Sequence, residues 1–292
     1  QSNSYRQMHS DHSSLTDSII ELALKEDLGE RGDISSQFFI KESAIACGRI
    51  IAKEDCVISG SEIAALVFNE VNPNISIEVI TPSGKSVTAG ETILISKGPA
   101  RSILTAERTA LNFLQRLSGI ATLTRKYVNL IDGTRAKIFD TRKTTPGMRV
   151  LEKAAVVAGG GYNHRHGLYD MAMLKDNHFA SKIKIESLQI VIDEFKEAYP
   201  DALVELEADT ISQVTEFLSL ENVDVIMLDN MSIKQISEAV QLSNGNALLE
   251  ASGGINLETV AGIAETGIDR ISVGALTHSA KAIDLAMDFE QQ

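Results

Sequence analysis

Residues 137–180 read KIFDTRKTTPGMRVLEKAAVVAGGGYNHRHGLYDMAMLKDNHFA, and the rest of the chain is understood from this stretch. Two short apolar runs, Ile138-Phe139 and Met171 to Leu174, each end in polar and charged residues. Gly159, Gly160 and Gly161 stand just before a second basic cluster. Residues 135–184 hold ten Lys and Arg side chains against four acids, a net of +6 within a chain of net charge −13. Concentrated cations in an acidic protein point to a focused small-anion site and argue against a broad nucleic-acid surface. Lys153, Lys182 and Lys184 are expected on solvated helix faces. Arg142, Lys143, Arg165 and Lys175 fall where strands or tight turns should end.

Outward from this stretch, strands alternate with helix-length segments. Strands are expected at 136–140, 171–175, 203–207, 225–229, 247–250 and 270–273. Helices are expected between them, at about 147–158, 182–198, 210–219, 232–243 and 256–266. That alternation predicts a parallel βα sheet or barrel. The strand ends carry Asp140/Arg142/Lys143, Lys175/Asp176/Asn177, Glu205/Glu207, Asp229/Asn230, Ser252/Gly253/Gly254 and Gly274. In a βα barrel the carboxyl ends of the strands form the face that bears the active site. The six tails are therefore expected to meet at one pocket.

Upstream, a helix is expected over Leu15 to Leu28, with Ser14 and Thr16 as candidate caps. The polar residues 1–14 are read as an unstructured lead-in or an expression remnant. The first hundred residues read as α+β, with helix 61–71 and short, antiparallel strands within 46–58, 75–80 and 92–95. A long helix follows from about Ile103 to Ile131, with Gly119 as a candidate interruption. Arg108 on this helix is either a surface ion-pair partner or a ligand clamp.

Composition sets outer limits. The chain of 292 residues is long enough for two domains. No apolar run approaches the ~20 residues that span a bilayer, so no membrane association is expected. Cys47 and Cys56 lack metal or redox spacing and are expected reduced, in a cytoplasmic protein.

The pocket's cations suit a multiply anionic small molecule, because the arginine fork makes paired hydrogen bonds to carboxylates and phosphates. Ser252-Gly253-Gly254 and Gly274-Ala275 follow late strands, where βα barrels often hold phosphate. Glu207 and Asp229 can hold magnesium, accept bonds from sugar hydroxyls or stabilise a cationic transition state; otherwise they pair with Lys143 and Lys175. Glu205 lies on the same side of its strand as Glu207, so either is a candidate working residue. His164, His166 and His178 lack the spacing of a metal cage; contact with an anion is expected for His164. The triple glycine is a helix stop, not a dinucleotide fingerprint, and no Ser or Cys stands in an elbow motif. Lys175 could form a Schiff base in principle, but the surrounding cations favour anion binding.

At these residues the chain closely resembles the quinolinate phosphoribosyltransferase family. The resemblance rests on Glu26-Asp27 with Gly32-Asp33, ERTALNFLQRLSGIATLT from Glu107, DTRKTTPG from Asp140, GGGYNHRHGL from Gly159 and LKDNH from Leu174. VELEAD, IMLDN, ASGGI and SVGALTHS complete it, in order. It implies an α/β fold in which an N-terminal α/β sandwich domain (15–118, rejoined by 278–292) joins an open or incomplete α/β, TIM-like barrel (119–277). It implies that quinolinate and 5-phosphoribosyl-1-pyrophosphate become nicotinate mononucleotide, pyrophosphate and carbon dioxide, with magnesium and no organic cofactor. It also implies a homodimer with shared active sites, or a higher oligomer.

Carried over by position, Arg142, His164, Arg165 and Lys175 would bind the quinolinate carboxylates, with Arg108 reaching in from a partner subunit. Thr141 joins the substrate-binding set. Lys143 would stand near the pyrophosphate and reacting centre. Glu207 and Asp229 would meet the ribose hydroxyls and magnesium, and with Lys143 form the catalytic set. Ser252, Gly253, Gly254, Val273, Gly274 and Ala275 would cradle the 5-phosphate. Ala154 and Val157 depart from the family pattern, which implies an altered helix surface. Two other readings are a phosphoribosyltransferase-like relative of molybdenum systems and a non-catalytic anion-binding barrel. The run Lys175-Asp176-Asn177-His178 argues against the former, and the acids inside a cationic pocket against the latter.

Overall fold

The computed structural model describes residues 2–175 and 185–291. Asp176, Asn177, His178, Lys182 and Lys184 lie outside the described residues. In chain order the elements are α1 (Ser2–Leu28), α2 (Ile34–Phe39), β1 (Ile45–Ala52), β2 (Cys56–Val57), α3 (Ser61–Val71), β3 (Ser76–Val79), β4 (Ser86–Val87), β5 (Thr92–Pro99) and α4 (Ala100–Leu130). They continue with β6 (Lys137–Phe139), α5 (Arg149–Ala158), β7 (Met171–Leu174), α6 (Ile185–Ala198), β8 (Leu203–Ala208), α7 (Ile211–Phe217), β9 (Val225–Asp229), α8 (Ile233–Ser243), β10 (Leu248–Ser252), α9 (Val260–Ala264), β11 (Arg270–Ser272), α10 (Ala275–His278) and β12 (Leu285–Gln291).

Two compact units emerge. The first holds residues up to Arg125, Thr144–Gly160 and the chain from Thr277 on; the second holds Lys126–Lys143 and Gly161–Leu276. The first unit is built on the antiparallel sheet β12-β1-β5-β3. β12 returns from the far end of the chain to pair with β1, from Ala46↔Gln291 to Ala52↔Leu285. α1 begins at Ser2, well upstream of the expected Leu15. α2 was not foreseen: Asp33 caps it, accepting the Ser36 N–H at 2.9 Å.

Gly119 does not interrupt α4, which runs unbroken through it. A Cβ there would lie 2.2 Å from the Lys281 carbonyl oxygen, so the glycine serves a close approach between chain segments. Lys153 is the other correction, being fully buried and not on a solvated face. Next to it the buried Glu152 accepts from Arg116 Nη2 at 2.8 Å and from the Thr145 hydroxyl at 2.8 Å. Ala154 and Val157 are on the exposed face of the same helix.

The second unit is a six-stranded parallel sheet in the order β6-β11-β10-β9-β8-β7. Phe139 at one edge also bridges to Tyr162. β8 and β9 are buried over nearly their whole length, as expected for strands covered on both faces. Capping boxes start the helices that follow them: Thr210 with Gln213 on α7, and Ser232 with Gln235 on α8. These two strands therefore end in short connections with defined helix starts, which fix their carboxyl tips. This is the open α/β barrel-like arrangement expected. Among the described residues no helix is long and apolar enough to cross a membrane.

Candidate active site

The carboxyl ends of the parallel strands surround a cavity of about 560 Å³. β6 supplies Thr141, Arg142 and Lys143 to its lining, β7 supplies Met173 and Lys175, and β9 supplies Met227, Asp229 and Asn230. β10 supplies Ser252, Gly253 and Gly254, and β11 supplies Ser272. His164 and Arg165 enter from the segment between α5 and β7. Strand periodicity explains the pairs, since Met173 with Lys175 and Met227 with Asp229 are two residues apart on one side of their strands. Met173, Met227 and Ser272 were not singled out by sequence, whereas Asn230 was expected at its strand end. The two-residue offset from Lys175 and Asp229 was the signal available for the methionines.

Several expected residues stand elsewhere. Glu207 and Val273, Gly274 and Ala275 are outside the cavity lining. Glu207 is buried and ion-paired with Lys175 Nζ. This separates it from Glu205, which is deeper along β8 and faces His164. Val273 is buried and its N–H donates to the Phe139 carbonyl at 2.9 Å, which ties the β11 tip to β6. Arg108 belongs to the first unit, where it lines a separate cavity of about 260 Å³ with Asp27, Gly32 and Asp33.

Gly253 and Asn230 show why the β9 and β10 tips need their residues. Gly253 has φ +89°, and a Cβ would fall 2.2 Å from Asn230 Oδ1 and 2.9 Å from the Asn230 nitrogen. Asn230 itself is left-handed, with φ 53°, a conformation asparagine tolerates better than most residues. Its Nδ2 donates to Asp229 Oδ2 at 2.7 Å. Backbone at the β10 tip can thus approach a ligand closely, as phosphate sites require.

The electrostatics are layered. Arg142, Lys143, Arg165 and Lys175 line the cavity, while Asp140, Glu205 and Glu250 are fully buried. Arg142 Nε is buried with no hydrogen-bond partner among the described residues, a donor suited to an incoming anion. Burial lowers the Arg165 pKa, and the neighbouring Arg142 lowers it further. A bound anion would offset both by favouring the charged guanidinium. Burial also pushes His164 down, but hydrogen bonds and charge from Glu205 and Glu250 outweigh it and carry it up to about 9. The Arg165 N–H, 2.8 Å from His164 Nδ1, opposes that rise because it needs an unprotonated acceptor. The geometry thus assigns the ring proton to Nε2. Burial raises the Glu205 pKa, an effect its contact with His164 counters.

Two donor sets have the composition of a cation site. In the first, ligand atoms of His164, Glu205 and Glu250 lie within 4.8 Å of one another; the proton on Nε2, between two carboxylates, accounts for that grouping. The second is Glu207 and Asp229. Register places Glu207 opposite Met227, so Glu207 and Asp229 project from the same side of neighbouring strands. Carboxylates there fit a hard ion such as magnesium, which keeps several waters and substrate oxygens as ligands.

The comparisons with known proteins agree with this architecture. The family model described as quinolinate phosphoribosyl transferase, C-terminal domain, matches residues 120–288, and its N-terminal domain counterpart matches 33–118. A chloroplastic nicotinate-nucleotide pyrophosphorylase (carboxylating) of Oryza sativa subsp. japonica is 41% identical over 289 residues, covering 94% of this chain and 77% of its own. The corresponding protein of Mycobacterium leprae is 41% identical over 274 residues, covering 92% and 95%. The crystal structure of NadC from Streptococcus pyogenes superposes with a TM-score of 0.88 at 39% identity, covering 94% of this chain and 96% of that one. With both domain models matched in order and such relatives aligned over nearly the whole of this chain, the chain belongs to the quinolinate phosphoribosyltransferase family.

Proposed function

We propose that the chain transfers the phosphoribosyl group of 5-phosphoribosyl-1-pyrophosphate to quinolinate, forming nicotinate mononucleotide, pyrophosphate and carbon dioxide in the biosynthesis of NAD. The observation that carries this reading is the gathering of Arg142, Lys143, Arg165 and Lys175 around one cavity that also holds Asp229 and the Ser252-Gly253-Gly254 turn. A dicarboxylate and a polyphosphate together need that many cations. Met173 and Met227 offer apolar, polarisable surface to a flat ring.

In this reading Arg142, Arg165 and Lys175 hold the two carboxylates, with His164 in the same group. The Lys175–Glu207 pair opens as the second carboxylate arrives, which frees Glu207 for the ribose. The quinolinate nitrogen attacks C1 of the sugar as the C1–O bond to pyrophosphate breaks, and the leaving oxygen keeps the electron pair. Lys143 offsets charge on that leaving group. Asp229 and Glu207 accept from the ribose hydroxyls and stabilise the oxocarbenium-like centre. The adjacent carboxylate then leaves as carbon dioxide, its electron pair stays beside the cationic ring nitrogen, and the ring carbon takes a proton. Thr141 and the β10 and β11 turns, through Val273, Gly274 and Ala275, complete the phosphate side.

Magnesium, held by Glu207 and Asp229 partly through substrate, would neutralise pyrophosphate charge when bound. No organic cofactor is required by this chemistry. We further propose a homodimer in which Arg108 of each subunit serves the other's pocket. Two free, buried cysteines accord with a reducing, cytoplasmic setting.

The test is turnover of the purified protein with quinolinate, phosphoribosyl pyrophosphate and magnesium. Nicotinate mononucleotide, pyrophosphate and carbon dioxide should appear in equal amounts. Folded protein that binds both substrates and forms none of them would refute the assignment.

A further inference from the structure

His164 lines the cavity, yet both of its ring nitrogens are engaged by the protein. Nδ1 accepts the backbone N–H of Arg165 at 2.8 Å. Nε2 lies 3.0 Å from Glu205 Oε2 and 3.3 Å from Glu250 Oε1. Neither carboxylate is in straight hydrogen-bond alignment with Nε2, and the ring edge is held by its closeness to both acids. Both acids are fully buried and neither lines the cavity. The Ser272 hydroxyl donates to the same Glu250 Oε1. The backbone is fixed as well: the His164 N–H donates to the buried Asp140 carboxylate at 2.9 Å.

We infer that His164 is a positioning residue: Glu205, Glu250 and Ser272 lock its ring so that Nδ1 holds the Arg165 backbone, and Arg165 meets the substrate carboxylate. This rests on the quinolinate reading of the pocket and changes one role within it. The imidazole offers the ligand no ring N–H unless it abandons two buried acids. Leaving such carboxylates without a partner is costly. The same arrangement explains acids beneath a cationic pocket: they act on the site through one ring and are not exposed to the ligand.

Three measurements on the protein test it. The first is nitrogen-15 NMR of the His164 ring, assigned by comparison with His164→Gln, without and with quinolinate. Protonated Nε2, unprotonated Nδ1 and no change on quinolinate addition are expected. A protonated Nδ1, or a large ring shift on binding, overturns the inference even if turnover is normal. The second is a double-mutant cycle on quinolinate binding with His164→Ala, Arg165→Ala and the pair. Action through Arg165 predicts that the pair binds within about twofold of Arg165→Ala alone. Losses that multiply, as for two independent contacts, overturn it. Glu250→Gln keeps shape and an acceptor; it should hold the KM for quinolinate within about threefold of wild type, whereas Glu250→Leu should raise it about tenfold or more, with kcat falling far less. Equal effects of the two, or a fall confined to kcat, count against it. Wild-type protein that fails to bind quinolinate refutes the functional assignment instead, and the ring measurement without ligand still decides the arrangement.

Discussion

Lys175 and Gly253 carry two different kinds of demand at the site. Lys175 is paired with Glu207, and in the proposed reaction a substrate carboxylate displaces that partner. Lys175→Ala should therefore raise the KM for quinolinate by roughly 10- to 100-fold, the range of one lost charge-assisted contact. The KM for phosphoribosyl pyrophosphate should change far less, and steady-state kinetics with each substrate varied in turn checks this. At Gly253 the demand is on backbone and space together, through its positive φ and the Asn230 oxygen 2.2 Å from where a Cβ would stand. Gly253→Ala should weaken phosphoribosyl pyrophosphate binding while quinolinate binding holds, as read by calorimetry with each ligand alone. Sequence made both residues visible because each stands at the end of a strand. It could not separate Glu205 from Glu207, which share a strand face and differ only in depth. Nor could it show that Lys153, on a helix of mixed character, is buried.

The elements differ in how far local sequence determines them. β9 and α3 have the bounds expected, since Asn230 closes one apolar run and Asn72-Pro73 the other. α2 is six residues long, too short for a helical period to emerge, and rests on its cap. β12 is fixed by pairing with β1, more than two hundred residues away, and no local pattern announces that partner. Burial alone would raise the Asp33 pKa, but bonds from Ser36 and Thr105 more than offset it and leave it below the ordinary 3.8. A carboxylate with a depressed folded pKa stabilises above its unfolded value, and that contribution is lost as pH falls through the folded one. Asp33→Ala should thus cost about 0.5–2 kcal/mol at pH 7. The difference from wild type should close on acidification from about pH 5 toward pH 2, measured by urea unfolding. α4 gives a sharper case. Alanine normally improves a helix over glycine by about 1 kcal/mol. Gly119→Ala should instead destabilise by about 1–3 kcal/mol, because its methyl meets the Lys281 carbonyl. A raised melting temperature would contradict that packing.

At the scale of the molecule, strand alternation made the parallel unit legible, and the charge count located its cavity. The grouping of Thr144–Gly160 with the first unit was not legible, because it depends on contacts such as Arg116 with Glu152, far apart in sequence. The proposed sharing of sites between subunits makes a prediction of its own. Arg108→Ala and Lys143→Ala should each be nearly inactive as pure proteins, while verified mixed dimers should recover up to about one half of wild-type activity, since one of the two sites in such a dimer keeps both residues. No recovery would count against sharing. The most direct measurement of the central claim is turnover with quinolinate and with nicotinate side by side, each with phosphoribosyl pyrophosphate and magnesium. A site built to clamp two carboxylates should form nicotinate mononucleotide from quinolinate at least about a thousandfold more efficiently, in kcat/KM, than from nicotinate. Equal use of the two acids, or no product from either by folded protein, would contradict it.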